Sequence, residues 1–390
     1  MEENKKNKVP NVPNLRFNSF KTVWRKYRNC ELFSYRSERK KDKNIPIASA
    51  SQERGMVIRS ENGIDIKFNE SSTFNYKVVY PGDYVIHLRS FQGGFAFSEL
   101  HCACSPAYII LKPLKEQFYG FFKHFFVSEK FINSLRDVTY GIRDGRTISH
   151  DEWMRKYEYL PVIAEQEKIT NFLNLIDSRI DTQNKIIEKL ESLKIGIKER
   201  IYLLGKTKEP LERILHEVSE KSTVQNQYPV LSSTVKGLFL QSEYFDRAIA
   251  SENNIGYKIV HKGQIIISPQ NLWMGNLTFN DKYESGIVSP SYKIYEIDSK
   301  YSKKYIHWLL TSKRSFFNYG LVSEQGASIV RRNLNIDAFM ELCLPIIKDK
   351  GDESKIEKLI DLIEKKLESE KKREALLNQQ KQFLLSNLFI

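Results

Sequence analysis

The sequence contains an internal repeat that spans nearly all of its 390 residues. The clearest match is a 14-residue segment at 168–181, which aligns without a gap on 355–368 at a constant offset of 187. Leu160-Pro161 corresponds, in the same order, to Leu344-Pro345. Because a long-period repeat means that one structural unit is built more than once, the chain is predicted to consist of two similar halves.

Shorter matches extend the repeat back to the start of each half. The offset drifts only between 181 and 187, so the halves differ by short insertions. We therefore predict a domain at 1–160, a helix at 161–205, a second domain at 206–344 and a second helix at 345–390. The shorter matches are Tyr76–Val79 with Tyr257–Val260, Ser105-Pro106 with Ser289-Pro290, and Pro46-Ile47 with Pro229-Val230.

The segment after each domain is predicted to be a long helix. Apolar residues recur there at alternating spacings of three and four, which is typical of a coiled-coil stripe. Each stripe has a natural partner in the other half, so we predict an antiparallel helix pair about a pseudo-two-fold axis. The alternative is that each stripe packs on its own domain. The stripes comprise Ile169, Leu173, Ile176, Ile180, Ile187 and Leu190 in the first helix, and Ile356, Ile360, Ile363, Leu367, Leu377 and Leu384 in the second.

Both stripes are interrupted by polar residues at equivalent points, which usually fixes the register of a helix pair at some cost in stability. Pro161 and Pro345 are predicted to end the strand before each helix, and Gly205 to close the first helix. A helix of about 35 residues would reach roughly 50 Å, a length suited to holding two domains apart. The interrupting residues are Gln183 and Lys194, and Glu370 and Lys381.

Each globular half is predicted to be an α+β domain. Short β-rich runs alternate with turn signals, and longer segments have a helical pattern. The β-rich runs are 76–88, 108–111, 257–267 and 293–297, and the helical segments are 119–135 and 301–317.

The chain is basic, with 61 Lys and Arg against 48 Asp and Glu, a net charge of +13 and a pI near 9.3. Such a surface favours a polyanionic partner, because binding releases the counterions condensed on phosphates. The sequence has no run of 18 apolar residues and its first eight residues lack a signal-peptide core, so we expect a cytoplasmic protein. Scattered cysteines predict reduced core or strand residues rather than disulfides; they are Cys30, Cys102, Cys104 and Cys343.

Residues that would carry catalysis are missing from the sequence. There is no Gly-x-x-x-x-Gly-Lys-Ser/Thr loop to hold a nucleotide phosphate. Paired acidic residues such as Glu188 and Glu191 fall on polar helix faces, where they are expected to pair with lysines. The seven histidines have no metal-ligand spacing. The sequence therefore predicts a chain without catalytic activity, metal or cofactor.

The motif Leu160-Pro161-x-x-x-Glu165-Gln166-x-Lys168-Ile169 opens the first helix, and the whole unit of β-rich domain and helix is duplicated. This combination resembles the specificity subunit of type I restriction-modification enzymes over nearly the whole chain. The resemblance implies that each globular half is a target-recognition domain for one part of a bipartite DNA site. It also implies that the helices bind two modification subunits, and that restriction subunits join through the complex.

The resemblance places methylation on the partner subunits rather than on this chain. An adenine methyltransferase of that class would carry an Asn/Asp-Pro-Pro-aromatic motif, which the sequence lacks. The second copy of the helix motif departs from the family pattern: its loop at 345–356 is three residues longer and lacks the Glu-Gln pair. Any role of that pair in the second half is therefore open.

Three polar loops in each half are the candidates for reading double-stranded DNA. Arg, Lys, Asn and Gln have the paired donors and acceptors that recognise base edges. The basic run at 36–43 is a further candidate for phosphate contacts. The alternative is that this protein is a coiled-coil scaffold whose charge is incidental. The loop candidates are Ser51, Gln52, Arg54, Arg89, Gln92, Arg143 and Arg146 in the first half, and Thr234, Lys236, Gln270, Asn271, Trp273, Asn276, Gln325, Ser328, Arg331 and Arg332 in the second.

Overall fold

The computed structural model describes residues 11–42, 44–51, 54–59, 75–87, 94–141, 147–244, 253–325 and 332–390. The chain forms two compact units: unit 1 comprises Met1–Asn184 and Lys372–Ile390, and unit 2 comprises Lys185–Lys371. Each of the two long helices contributes one part to each unit. Each unit therefore contains a globular domain, the start of the helix that follows it and the end of the other helix.

Unit 1 is built mainly from short strands. Its strands are β1 (Arg25–Arg28), β2 (Phe33–Arg36), β3 (Ala48–Ser51), β4 (Gly55–Ile58), β5 (Lys77–Val79), β6 (Tyr84–Ile86), β7 (Phe95–Phe97), β8 (Cys102–Cys104), β9 (Ile109–Pro113), β10 (Thr139–Tyr140), β11 (Thr147–Ile148) and β12 (Tyr157–Leu160). Its helices are α1 (Asn29–Leu32), α2 (Phe121–Phe125), α3 (Glu129–Ser134), α4 (His150–Arg155) and the first part of α5 (Ile163–Leu204).

Unit 2 repeats this sequence of elements. Its strands are β13 (Thr207–Pro210), β14 (Leu215–Val218), β15 (Leu231–Thr234), β16 (Gly237–Leu240), β17 (Lys258–His261), β18 (Gln264–Ile267), β19 (Leu277–Phe279), β20 (Ser285–Val288), β21 (Lys293–Ile297), β22 (Ser323–Gln325), β23 (Arg332–Leu334) and β24 (Cys343–Ile346). Its helices are α6 (Gln241–Tyr244), α7 (Lys303–Leu310), α8 (Lys313–Leu321), α9 (Ile336–Glu341) and the first part of α10 (Lys350–Leu388).

The two units have the same sheet topology. A four-stranded antiparallel sheet has the order β2-β9-β6-β7 in unit 1 and β14-β21-β18-β19 in unit 2. The two-stranded pairings also correspond: β1-β12, β3-β4, β5-β8 and β10-β11 match β13-β24, β15-β16, β17-β20 and β22-β23. The predicted α+β fold of two tandem domains, each followed by a long helix, is therefore confirmed, and the duplication extends to every sheet described.

Local sequence explains the matching turns. Gly82 and Gly263 lie at equivalent turns with φ of 94° and 87°, a left-handed conformation that glycine adopts without a steric penalty. In both turns the next side chain reaches back to a backbone N–H: Asp83 accepts from Tyr80 at 2.9 Å, and Gln264 accepts from His261 at 2.8 Å. Two different residue types thus close the same turn.

Helix starts are also shared between the units. Ser128 and Ser312 cap α3 and α8, and each hydroxyl accepts a hydrogen bond from the backbone N–H three residues later. Such a serine cap satisfies a donor that the first helical turn leaves free, and it typically contributes about 1 kcal/mol. These caps begin the second short helix in the segments predicted to be helical at 119–135 and 301–317.

The main core of each unit joins the domain to both long helices. In unit 1, a cluster of stacked aromatic rings centred on Phe33, Phe126 and Trp153 continues into apolar residues of α5 and α10. Full burial of one such side chain contributes roughly 1.5–3 kcal/mol. In unit 2, Trp308 and Tyr319 take a corresponding central place in a core richer in Ile and Leu.

The predicted stripe residues face inward. Within unit 1, Ile169, Leu173, Ile176 and Leu384 share one buried cluster, and within unit 2, Ile356, Ile360 and Ile363 share another with Ile201. The remaining stripe residues are half-buried; they are Ile180, Ile187, Leu190, Leu367 and Leu377. Both domain residues and helix residues belong to these clusters, so the stripes do not pack on helices alone.

One strand prediction was wrong. Pro161 follows the last residue of β12 as expected, but Pro345 lies inside β24, opposite Lys208 of β13. Proline is tolerated there because β13 and β24 form a two-stranded ribbon, whose outer edge needs no backbone N–H. The first helix ends at Leu204, one residue before Gly205, as predicted.

The cysteines fit their prediction in part. Cys102 and Cys104 are buried on β8, and burial raises the pKa of their thiols to about 11 and about 12. Cys343 is on a strand but exposed, whereas Cys30 is exposed in the short helix α1 and is neither a core nor a strand residue. Among the described helices, none has a stretch long and apolar enough to cross a membrane.

Candidate nucleic-acid interface

Three of the predicted loop segments meet on one surface of unit 2. The turn between β15 and β16 carries Val235 and Lys236, which are exposed. A Cβ atom placed on Gly275, in the loop after β18, would lie 3.7 Å from Val235 Cγ1. The same position would lie 3.6 Å from the ring of Phe316 on α8. The sequence could propose these loops separately, but only the fold brings them together.

Arg332 joins the third segment to this surface. Its guanidinium carbon lies 4.3 Å from the ring centroid of Trp273, a cation–π distance, and its Nη1 donates to the Gly320 carbonyl at 3.4 Å. Its backbone N–H donates to the carbonyl of Gln270 at 3.3 Å. The planar guanidinium is thus held on an aromatic face, with its position fixed from the backbone. Held in this way, arginine can present donors to a guanine or to a phosphate.

The other candidates in this region differ in how freely they can act. Gln270 is exposed and Asn271 half-buried in the loop after β18. Thr234 is half-buried at the end of β15, where its hydroxyl donates to the Gly237 carbonyl at 3.0 Å and accepts from the Lys236 N–H at 3.1 Å. Thr234 therefore shapes the turn, while Lys236 and Gln270 extend from it.

Asn276 does not face a DNA groove, contrary to expectation. Its side chain is only 8% exposed, and its amide group is used within the fold. The amide oxygen accepts from the Ser233 hydroxyl at 2.9 Å, and the amide nitrogen donates to the Ser233 carbonyl at 3.2 Å. Asn276 ties the loop after β18 to strand β15, so we assign it a structural role.

In unit 1 the structure describes only the first of the predicted loops. Ser51 ends β3, and its hydroxyl accepts from the backbone N–H of Arg54 at 3.3 Å, which closes the turn into β4. The Arg54 side chain is exposed. The candidates Gln52, Arg89, Gln92, Arg143 and Arg146 lie outside the described residues, as do Ser328, Arg331 and the side chain of Gln325 in unit 2.

The basic run at 36–43 is not a uniformly free patch. Arg36 forms two hydrogen bonds with Asp83, at 2.8 and 3.2 Å, and lies over the ring of Tyr80. Lys40 is 7% exposed. Arg39 and Lys41 remain exposed, and Lys43 lies outside the described residues. The expected contribution of this run therefore reduces to two of its five cations.

The Glu-Gln pair of the family motif is buried and structural in unit 1. Gln166 accepts from the Phe118 N–H at 3.0 Å and donates to the Pro161 carbonyl at 3.0 Å. Glu165 is fully buried and binds Arg16 through two contacts of 2.7 Å. The pair anchors the start of α5 on the domain and does not line the proposed interface.

A single glutamate provides the equivalent anchor in unit 2. Glu353, 187 residues after Gln166, accepts from the Ser302 N–H at 2.7 Å and is 5% exposed. Ser302 lies 184 residues after Phe118, at the equivalent place before α7. The second half therefore keeps this function of the pair although its loop is longer. The sequence comparison overlooked this because the Glu-Gln motif was compared as a pair.

The sequence analysis also missed exposed apolar side chains next to the loop surface of unit 2. Phe317 and Leu321 on α8 are 68% and 70% exposed, and Met274 in the loop after β18 is 45% exposed. Apolar contacts with thymine methyl groups are one way of reading DNA. Their exposure depends on how α8 packs, which the helical pattern alone does not show. Among the described residues, no group of three His, Cys, Asp or Glu side chains could hold a metal ion.

This fold is that of type I restriction-modification specificity subunits. The S subunit of the type I restriction-modification system from M. genitalium is similar over 97% of this chain and 99% of that chain, with a TM-score of 0.54 and 14% identity. A chain from a structure on complex assembly and conformational transition of the type I R-M system is similar over 93% of this chain and 96% of that chain, with a TM-score of 0.56 and 12% identity.

No protein-family model matches the sequence, and no curated protein matches it significantly. The resemblance found in the sequence is therefore confirmed at the level of the fold, over nearly the full length of these chains. A shared fold can host different functions, so the site residues must carry the functional argument.

Proposed function

We propose that this chain is the non-catalytic DNA-specificity subunit of a type I restriction-modification enzyme. Each domain reads one half of a bipartite, asymmetric target, and α5 and α10 pair as an antiparallel coiled coil that sets the distance between the halves. The observation that carries the proposal is the complete duplication of sheet order combined with unlike polar loops. A repeated frame with different loops is suited to reading two different sequences.

The loop surface of unit 2 supports the recognition role. Arg332 stacked on Trp273, together with Gln270 and Lys236, offers the side-chain types that bind base edges and phosphates. A net charge of +13 fits the same partner, because DNA binding is favoured by counterion release. We place the chain in the cytoplasm, where it would meet the DNA of the cell.

Two exposed leucines support the binding of two copies of one modification subunit. Leu175 on α5 is 64% exposed and Leu362 on α10 is 67% exposed, and the two positions are 187 residues apart. Equivalent apolar positions in two repeats fit two copies of an identical partner. The restriction subunits join through the complex that these contacts assemble.

Stoichiometry tests this part of the proposal. We expect Leu175→Asp and Leu362→Asp each to remove one modification subunit from the purified complex, as measured by native mass spectrometry. Leu193→Asp is the matched control: Leu193 is 52% exposed, but its repeat counterpart is Gln380. Loss of a subunit in the control, or full occupancy in both test variants, would exclude these contacts.

Methylation mapping tests the recognition role. The chain is expressed with its modification subunit in a host free of other methyltransferases, and methylated positions are mapped by single-molecule sequencing. We expect one asymmetric motif interrupted by a fixed spacer. Exchanging Gln270 and Arg332 together for alanine should alter the preference in only one half of that motif. A palindromic uninterrupted motif, or no methylation dependent on this chain, would overturn the proposal.

A further inference from the structure

Each unit holds two cationic residues directly opposite one another on neighbouring chain segments. In unit 1, Arg39 is bridged to Lys77 at the start of β5, and in unit 2, Lys221 is bridged to Lys258 at the start of β17. The two pairs occupy the same position in the repeat, because their sequence offsets are 182 and 181.

The backbone geometry around the two pairs is the same. In unit 1, Lys40 N donates to the Tyr76 carbonyl at 2.7 Å and Val78 N donates to the Glu38 carbonyl at 2.8 Å. In unit 2, the equivalent bonds measure 2.8 and 2.9 Å and join Ser222 to Tyr257 and Ile259 to Glu220. These bonds flank each cationic pair, so both are non-hydrogen-bonded cross-strand pairs, in which Cα atoms approach to about 4.5 Å and side chains lie closest.

The acidic residue next to each pair is bound elsewhere. Glu38 precedes Arg39, and Glu220 precedes Lys221, but successive side chains on an extended segment point to opposite faces. Glu38 accepts from the Tyr80 hydroxyl at 3.1 Å, and Glu220 contacts His261 Nε2 at 2.9 Å. The neighbouring carboxylates are thus held by equivalent partners on the other face.

The second cation of each pair is held in place by its surroundings. Lys77 Nζ donates to the Tyr108 carbonyl at 2.8 Å. Lys258 is only 9% exposed, and burial, with Lys293 and Lys221 nearby, lowers its pKa against the opposing effect of Glu217. The Glu217 carboxylate is already bound by Lys293 Nζ at 2.7 and 2.9 Å. Each unit therefore fixes one cation of the pair and leaves the other, Arg39 or Lys221, exposed.

An open cleft surrounds the pair in unit 1. It measures about 590 Å³ and is lined by Ser37, Arg39, Asn75, Lys77 and Pro106, so its polar side chains can all donate hydrogen bonds and none is a carboxylate. Like charges directly opposite one another destabilise a sheet. Their presence at the same place in both halves, whose loops otherwise differ, is accounted for by an anion that bridges them.

We propose that Arg39 with Lys77, and Lys221 with Lys258, are two equivalent phosphate clamps that grip the DNA backbone without reading its sequence. The inference rests on the proposed DNA-binding function and assigns a separate task to these residues. Backbone contacts position a protein on the duplex, whereas base contacts specify the site. With one clamp in each repeat, both domains would be anchored to the backbone in the same way while their different loops read different bases.

Salt dependence of binding by the full-length chain tests the clamps. The variants are Arg39→Gln/Lys77→Gln and Lys221→Gln/Lys258→Gln, and the probe is a fluorescent 50-base-pair duplex of arbitrary sequence titrated by anisotropy over a series of KCl concentrations. Each lost phosphate contact lowers the slope of log K against log salt by about 0.9. We therefore expect each double variant to lose about 1.8 from the slope, and the two losses to be equal.

A control pair separates a clamp from a general loss of charge. Lys185→Gln/Lys189→Gln removes two exposed cations from α5 and should leave the slope unchanged. The melting temperatures of the clamp variants should equal or exceed that of the parent, because a repulsive pair has been removed. An equal slope loss in the control, or a parental slope in either clamp variant, would overturn the proposal. A parent chain that fails to bind the duplex at low salt would instead overturn the proposed DNA-binding function itself.

Discussion

The Asp177 carboxylate on α5 forms an ion pair with Lys381 on α10, with 2.7 Å between Oδ1 and Nζ. The residues 187 positions away in the repeat are Glu364 on α10 and Lys194 on α5, and they pair at 3.2 Å. The acid and the base thus exchange helices between the units. A reciprocal pattern of this kind, in which i contacts j and j contacts i, is expected of elements related by a two-fold axis, and it supports the proposed antiparallel pairing.

The first prediction concerns this ion pair. We expect Lys381→Met to lower the free energy of unfolding by about 1 kcal/mol, because both partners are about three-quarters buried and the Asp177 charge would lose its cation. Lys194→Met should have a similar effect through Glu364. Urea denaturation followed by circular dichroism measures both, and Lys381→Arg is the control that keeps the charge. Unchanged stability in both methionine variants would show that neither ion pair contributes.

A second prediction concerns pH and His124, which is 2% exposed and 3.9 Å from Asp177. Burial lowers the pKa of His124 to about 4, against the opposing effect of Asp177, whereas an unfolded histidine titrates near 6.5. The unfolded chain therefore takes up a proton between these pH values that the folded chain does not. The stability associated with neutral His124 is complete above pH 6.5 and is lost as the pH falls towards 4.

The loss from His124 should approach about 1.4 kcal/mol per pH unit within that window. In His124→Gln, which can keep a donor for the Asn174 oxygen now 2.9 Å from Nε2, the acid loss of stability should be correspondingly smaller. Urea denaturation at pH 7.5, 6.0 and 5.0 measures the difference. His101→Gln, at an exposed position stacked on Tyr80, should behave as the parent does. Identical acid profiles for His124→Gln and the parent would contradict the prediction.

The third prediction is that the N-terminal segment is essential to unit 1. Arg16 neutralises the fully buried carboxylate of Glu165 through two contacts of 2.7 Å. Removing one partner of a buried pair leaves a charge without compensation and typically costs 3–5 kcal/mol. We expect Arg16→Met to destabilise the chain by about this amount in urea denaturation. Arg16→Met/Glu165→Gln should recover part of the loss; a double variant no more stable than the single one would argue against this cause.

The sequence predicted those features that depend on periodicity and repetition. The duplication, the two long helices and the strand at 293–297 were all visible, because hydrophobic spacing reflects local structure. The burial of Asn276 was not predicted, since it depends on Ser233, 43 residues away along the chain. The opposition of Arg39 and Lys77 likewise requires the register of two segments that the sequence does not pair.

The candidate interface shows the same division. Arg332 and Trp273 were both proposed as loop residues, but the sequence gave no sign that their side chains stack, because 59 residues separate them. The role of Glu353 was hidden for a different reason. An insertion shifts its loop, so its equivalence to Gln166 is recognised only from the shared hydrogen bond before α2 and α7.

The final prediction concerns Arg332, whose guanidinium lies over Trp273 at 4.3 Å. Lysine keeps the charge but cannot reproduce the planar fork that stacks on an indole and binds a base at two points. We expect Arg332→Lys to weaken binding of the cognate DNA by about tenfold or more, in line with the roughly 1–3 kcal/mol of a bidentate base contact, and to change binding of arbitrary DNA by less than twofold. Competition anisotropy with the two duplexes measures this ratio. Lys236→Arg, at an exposed position in the neighbouring turn, serves as the control that changes cation type without a stacking partner, and it should keep the parental ratio. An equal loss of affinity for both duplexes in Arg332→Lys would assign Arg332 to phosphate binding instead.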